Sequence, residues 1–339
     1  MSFLVIRDCG PGLSIQDHGR FGWRRFGIST AGAMDRQHLA IANRLVGNPT
    51  NAAAIETVLS GCRLEVVGPP VLLAAAGPGV SLFVDGRPVP ASQSSEVEEG
   101  QVVTLSPARE GVYGYLAVAG GFDLVAEMGS LSAHLRSGVG QPRLCSGANL
   151  PVRVRQGRGL RVPLALSALP PTVSGPIRIL WGPQEDWFDT VAREQLVANH
   201  WTISQRSDRM GMFLDGPALA QNAGSMVSDG VLPGSIQVPP SGTPVVLMRD
   251  CQTTGGYPKI ATVISADLDR LAQIRPGQTL RFRAVSRHEA LTALRNARAD
   301  IDALHPKPAV RAPNTARLMQ VNLIDGVWSD YPVTPDAMT

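Results

Sequence analysis

The densest chemistry in the chain lies in ten residues, Asp250-Cys-Gln-Thr-Thr-Gly-Gly-Tyr-Pro-Lys259. A carboxylate, an amide, two hydroxyls, a phenol and an amine share one loop bent by two glycines. A buried Lys259 close to Asp250 is expected to act as a proton donor or an electrostatic clamp, its pKa set by desolvation and the neighbouring charge. Composition sharpens that expectation. Lysine fills only positions 259 and 307 among 31 basic residues, and arginine fills the others. A position that needs a titratable amine cannot use arginine. The plainer reading is a turn carrying a solvated lysine, and the avoidance of lysine elsewhere weighs against it.

Two further constellations carry polar chemistry. Gln16-Asp17-His18-Gly19-Arg20-Phe21-Gly22 is followed by Gly32-Ala33-Met34-Asp35 and by Asn43. Glycines beside Asp17, Arg20 and Asp35 let the backbone approach a small polar ligand, and such loops often carry sites. An Asp–Arg pair that merely holds the loop in shape explains the spacing equally well. Ser207-Asp208-Arg209-Met210-Gly211 offers a guanidinium fork for a carboxylate, steadied by Asp208. Taken alone, that run is better explained by a structural salt bridge. His18 is the only histidine within a motif, and no pair of histidines has metal-ligand spacing.

The elements that must position these groups are short. A strand is predicted at Phe3–Ile6, then a glycine-rich loop over Ser14–Ala33. A helix fits Asp35–Val46, with Asp35 as cap, Leu39, Ala42 and Leu45 on one face, and Gly47 as stop. A second short helix is expected over Ala52–Leu59. Strand signals follow at Arg63–Val67, Val71–Ala75 and Val80–Val84, the last running into an Asp85-Gly86 turn. Gln101–Leu105 and Tyr113–Ala119 continue the series. The stretch Leu169-Pro170-Pro171 is the best candidate boundary. Beyond it come a strand at Ile177–Trp181, a helix near Glu185–Ala198, and strands at Ser235–Val238, Val245–Met248, Ile260–Ile264 and Leu280–Ala284. A helix opens at Ser286, where Ser286 and Glu289 form a capping box, and Pro306 closes it. Many short strands with glycine-rich corners point to closed or nearly closed barrels.

Composition and missing motifs narrow the function. With 44% apolar and 17% charged residues the chain is globular, and 35 glycines and 27 prolines favour short strands. A formal charge of +3 without a basic run argues against nucleic acid. Cys9, Cys62, Cys145 and Cys251 form no CxxC pair, so reduced thiols in the cytoplasm are expected. The uncharged stretch Val66–Val84 holds three prolines and three glycines, which favours two buried strands over a membrane span. Neither lysine follows a glycine, so no P-loop is present; GxGxxG, GxSxG and HExxH are missing too. Neither lysine has the flanking methionines of a biotin attachment site, so no covalent biotin is expected.

Together, Ser14-Ile-Gln-Asp-His-Gly-Arg20, Gly32-Ala-Met-Asp35, Ala42-Asn-Arg-Leu-Val-Gly-Asn48, Asp208-Arg-Met-Gly211, Ile236-Gln-Val-Pro-Pro240 and Gln252-Thr-Thr-Gly-Gly-Tyr-Pro-Lys259 resemble the biotin-dependent carboxyltransferase, or urea-amidolyase-related, family. The resemblance covers roughly residues 3 to 285. It implies a mainly β fold with a few helices: two cyclophilin-like β-barrel lobes, 1–170 and 171–305, with a cleft between them and a tail over 306–339. It also implies an activity. Within the family, the C component of ATP-dependent 5-oxoprolinase opens the lactam of 5-oxoproline to glutamate, in a cytoplasmic complex with subunits B and A. Other readings that the resemblance allows are carboxyl transfer from carboxybiotin to urea or another amide, and a non-catalytic regulator that binds a kinase-inhibiting partner. In the first reading Arg209 would hold the substrate carboxylate, Lys259 would stabilise developing negative charge, and Asp250 or Asp17 would handle protons. Arg20, Asp35, Asn43, Gln237, Gln252, Thr253, Thr254 and Tyr257 would line the substrate. Two stretches depart from the family pattern: Gly129-Ser130-Leu131-Ser132-Ala133 lacks its threonine, and Gly147-Ala148-Asn149 replaces a Gly-Asp.

Overall fold

The computed structural model describes residues 1–153, 162–170, 173–221 and 226–309. Pro171 of the expected boundary and most of the expected tail, 310–339, lie outside the described residues. Residues Met1–Pro308 pack as one compact unit.

The first half of the chain builds two antiparallel sheets. One is six-stranded, in the order Asn149–Val152, Ser2–Cys9, Cys62–Val67, Val102–Leu105, Leu82–Val84, Arg87–Pro88. The other is five-stranded, in the order Ser14–Gln16, Ala54–Val58, Tyr113–Val118, Val71–Ala76, Ser94–Val97. Leu4, Ile6, Leu64 and Val66 of the first sheet meet Ile15, Ile55, Leu73 and Leu116 of the second in one apolar cluster. Asp85 turns the Leu82–Val84/Arg87–Pro88 hairpin with φ near +48°, as the Asp-Gly pair predicts.

The second half builds one eight-stranded sheet. Its order is Thr279–Leu280, Trp201–Ile203, Gly211–Asp215, Val245–Leu247, Ser235–Gln237, Lys259–Val263, Ile177–Trp181, Phe282–Ala284. The two edge strands are consecutive in the chain, so a single segment, Thr279–Ala284, runs along both edges and all but closes the sheet into a barrel. Closure removes the exposed edges that short strands otherwise leave open to aggregation.

Helix α1 (Arg36–Leu45) starts where expected, with Asp35 accepting from the His38 backbone N–H at 3.0 Å. Gly47, at φ +72°, ends it. Its buried face, Leu39, Ala42 and Leu45, joins Tyr113 and Tyr115 on one side and Trp201, Met212, Ile236 and Leu271 on the other, so the two sheet systems share an apolar cluster. The expected helix Glu185–Ala198 is split. A 3-10 turn, Glu185–Trp187, precedes α2 (Thr190–Ala198), which Asp189 caps. After α3 (Leu268–Ala272), α4 (Arg287–Asp302) carries both hydrogen bonds of the predicted capping box.

One expectation is overturned. The segment Ala52–Leu59 is not a helix, because Ala54–Val58 forms a strand held between Ser14–Gln16 and Tyr113–Leu116. Four of its five residues are buried, since Ile55 faces one apolar cluster and Ala54 the other. A strand buried on both faces loses the alternation that marks strands in a sequence. The reassignment matters for function, because it places Glu56 inside the molecule.

Candidate active site

A cleft of about 530 Å³ opens between the two sheet systems. Pro11, Val58 and Tyr113 wall it on one side, Ile203 and Met212 on the other, with Arg209 and Asp250 in its lining. Arg209 makes four hydrogen bonds to the protein. Nε and Nη2 grip the two Asp250 oxygens at 2.9 and 2.8 Å, Nη2 also reaches the Gly32 carbonyl at 2.8 Å, and Nη1 donates to Glu56. Glu56 is fully buried and accepts twice more, from the Met34 N–H at 2.9 Å and from the Tyr115 hydroxyl at 2.7 Å. That hydroxyl in turn accepts from the Asp35 N–H at 2.8 Å. Burial alone would lower the Arg209 pKa, but Asp250 and Glu56 outweigh it and raise it. Glu56 is pushed up by burial, which outweighs the pull of Arg209.

Arg209 is thus largely committed to the protein itself. Its fork bonds Asp250 and Glu56 as a latch between the two sheet systems, which leaves one Nη1 N–H toward the cleft it lines. Neighbouring Asp208 does not steady it; the Asp208 carboxylate accepts from the Met210 and Gly211 N–H groups and shapes the turn.

Asp17 is similarly occupied. Its carboxylate accepts from the Gly19 N–H, the Ser130 hydroxyl and the Leu131 N–H, each at 2.7 Å, and from the Ser132 hydroxyl. The stretch that departs from the family pattern is thus fastened to the Asp17 motif by its two serines. Arg20 differs from all the other predicted residues. It is 1% exposed and donates Nη2 to the Ser132 carbonyl, while its Nε and Nη1 have no hydrogen-bond partner among the described residues. Burial lowers its pKa, partly offset by Asp17. A buried guanidinium with unspent donors is costly unless something else meets it. The glycines of this region serve the chain's own packing. A Cβ at Gly32, whose φ is +96°, would stand 2.8 Å from the His18 carbonyl group.

His134, which sequence reasoning missed, ties this loop to Asp250. Its Nδ1 accepts from the Ser137 N–H at 3.2 Å, so the proton belongs on Nε2, 3.0 Å from the Asp250 carbonyl oxygen. Glu56 was missed because its segment reads as a helix. Only long-range pairing reveals either residue.

Asp35 and Asn43 are both bonded within the fold. Beyond capping α1, Asp35 meets His38 Nδ1 at 2.6 Å and accepts from Gln273 Nε2 at 2.7 Å. Asn43 donates to the Ala52 carbonyl at 2.8 Å and accepts from Asn48 at 3.1 Å. Burial would lower the His38 pKa, but Asp35 outweighs it and raises it; burial would raise Asp35, but His38 outweighs it and lowers it. A raised histidine pKa gives stability that is fully present below about pH 6.5 and is lost as pH rises through the higher folded value. The depressed Asp35 gives stability that is lost only in strong acid, as pH falls through its folded value. Thermal melts should therefore weaken as pH rises above about 6.5, and His38→Asn should flatten that slope. An unchanged slope in the variant would remove His38 as its source.

The lysine motif is held in a different place from the latch. Lys259 is 4% exposed, and its Nζ bonds to Asp229 and, at 2.9 Å, to the Gly230 carbonyl. Asp229 and Gly230 pair with Gly255 and Thr254 in a two-stranded ribbon. The hydrogen bond from Lys259 holds the Asp229 carboxyl below its usual range. Lys259 and Asp250 thus have separate partners, which corrects the expected pairing between them. Gln237 is buried and donates to the Tyr257 carbonyl at 3.2 Å. Arg24, from a 3-10 turn at Arg24–Phe26, crosses to the Gln252 carbonyl at 3.0 Å and to the Val231 carbonyl. Thr253 gives its carbonyl to the Val231 N–H at 3.1 Å. Gln252, Thr254 and Tyr257 keep exposed surface, so of the predicted loop they remain open to a ligand. Among the described residues no group of three or more His, Cys, Asp or Glu is arranged to hold a metal, and no helix is long and apolar enough to cross a membrane.

The family model for the carboxyltransferase domain, subdomain A and B, matches residues 26–284, which span both sheet systems and the cleft between them. Over 289 residues the chain is 40% identical to the C subunit of 5-oxoprolinase from Haemophilus influenzae, covering 85% of this chain and 93% of that protein. It is 39% identical over 295 residues to the protein of the same name from Escherichia coli, covering 86% and 94%. The crystal structure of Kluyveromyces lactis urea carboxylase superposes with a TM-score of 0.80 at 25% identity, over 93% of this chain and 30% of that one.

Proposed function

The chain belongs to the carboxyltransferase-domain (subdomain A and B) family, and we propose that within it the chain is the C subunit of a 5-oxoprolinase. One observation carries the proposal: identity near 40% across almost the whole length of two proteins of that name. A subunit name implies an assembly, and homologues of subunits B and A are the proposed partners. The chain has no Gly-Lys phosphate loop, so ATP is assigned to the assembled complex, and no covalent biotin is assigned to this chain.

The proposed reaction opens a five-membered lactam that also carries a carboxylate. The groups free to act differ from those the motifs alone suggest. Arg20 keeps Nε and Nη1 unspent, so it is proposed as the anion-binding group in place of Arg209. Lys259 would leave Asp229, which is half exposed, and the Gly230 carbonyl to meet a developing oxyanion. Asp250 and Asp17 are bound on their carboxylate oxygens and act as positioning residues. Gln252, Thr254 and Tyr257 are proposed to contact the substrate.

Co-expression with the B and A homologues, then an assay for ATP-dependent glutamate formation from 5-oxoproline, tests the assignment. Turnover that requires all three chains is the expected result. The second reading, carboxyl transfer to urea, draws on the superposition with urea carboxylase. ATP-dependent consumption of urea, with none of 5-oxoproline, would replace the first reading by the second.

A further inference from the structure

A second cleft, about 610 Å³ in volume, lies beneath α4. Its lining is divided by chemistry. Leu294 and Ile301 of α4 and Leu268 of α3 form an apolar wall. Arg36, from the first turn of α1, and Arg249 form a cationic one. The volume is in the range of small-molecule sites, and an apolar body with a few fixed polar groups is their usual composition.

Charge on that cationic wall is only partly offset by the protein, through Asp269 and, for Arg36, Asp17. Arg249 is buried and bonds to Asp269 at 2.8 Å. Asp269 is further committed to the Gln37 N–H at 3.1 Å. Arg36 donates Nη2 to the His18 carbonyl at 2.8 Å, while its Nε is buried without a partner among the described residues. Its guanidinium stacks on Phe21, 5.5 Å from the ring centroid. Arg298 adds a third guanidinium from α4; the remaining acid of the lining, Asp302, is exposed. The charge of Arg249 acts against that of Arg36, and an anion between them would relieve both the repulsion and the unmet donor.

We infer that this cleft is a binding site for a small organic carboxylate, whose anionic end meets Arg36 and Arg249 and whose carbon skeleton lies against α4. The cleft's chemistry stands apart from the reaction; the choice of 5-oxoproline and glutamate as its ligands rests on the function proposed above. His18 supplies the reporter. His18 lines the same cleft, and burial, followed by the charge of Arg36, lowers its pKa to about 4, with Arg249 lowering it further and Asp17 opposing. A bound anion cancels part of the arginine charge and moves that pKa upward.

The test is a titration of the isolated full chain with 5-oxoproline, L-glutamate and inorganic phosphate, following the His18 ring by NMR across pH and the heat of binding by calorimetry. Saturable binding of 5-oxoproline or glutamate, with an upward shift of the His18 pKa, is expected. Arg36→Met should weaken it about tenfold or more, as loss of a charge-assisted hydrogen bond does. Arg298→Gln, on the exposed face of α4, should weaken it by a smaller factor with the fold unaltered. Three results would overturn the inference: no shift with either carboxylate, a shift that survives both substitutions, or a response to phosphate alone, which would make this an inorganic-anion site.

Discussion

Replacing Arg209 with methionine should destabilise the folded chain by about 3–5 kcal/mol, because it strands two carboxylates without their counter-charge. Glu56 is fully buried and Asp250 nearly so, and both meet the same guanidinium. Burial already pushes the Glu56 carboxyl up, and without Arg209 nothing of opposite charge holds it down, so the loss should be greatest at neutral pH and shrink as pH falls. The sign follows from the raised folded pKa of Glu56: the unfolded chain binds fewer protons there, and stability falls as pH rises. Adding Glu56→Gln to Arg209→Met removes one stranded charge and should recover part of the loss. Urea denaturation of the three proteins measures it. A single-variant cost below about 1 kcal/mol, the level of an exposed pair, would mean that the latch is solvated and the role assigned to Arg209 is wrong.

The second large effect concerns turnover. In the reconstituted complex Lys259→Met should lower kcat by about 10²-fold or more, the scale seen when one donor to a developing oxyanion is removed. Methionine preserves much of the apolar stem in a buried position, so the melting temperature should stay close to that of the parent. Asp229→Asn is the control. It keeps the amine and removes its partner, so activity should stay within a few-fold of the parent. If both variants lost activity equally, Lys259 would be a strut for the Asp229–Gly230 ribbon and the oxyanion role would pass to another group.

Local sequence determined a good deal of this protein. Asp35 and Gly47 bracket α1, Ser286 and Glu289 open α4, and Asp85-Gly86 turns a hairpin, because each is a matter of backbone geometry within a few residues. The prevalence of short strands and a nearly closed sheet also followed from glycine-rich corners and from the family resemblance. What the sequence could not show is which charge meets which. Lys259 meets Asp229, 30 residues away, although Asp250 is much nearer along the chain. Arg209 meets Glu56, 153 residues away, in a strand whose two buried faces disguised it as a helix. A buried charge must be paired wherever packing brings its counter-charge, and register across long-range strands decides that position. The tertiary structure therefore made Arg209 a latch between the sheet systems, and left buried Arg20 and half-buried Arg36 with guanidinium nitrogens that meet no partner among the described residues.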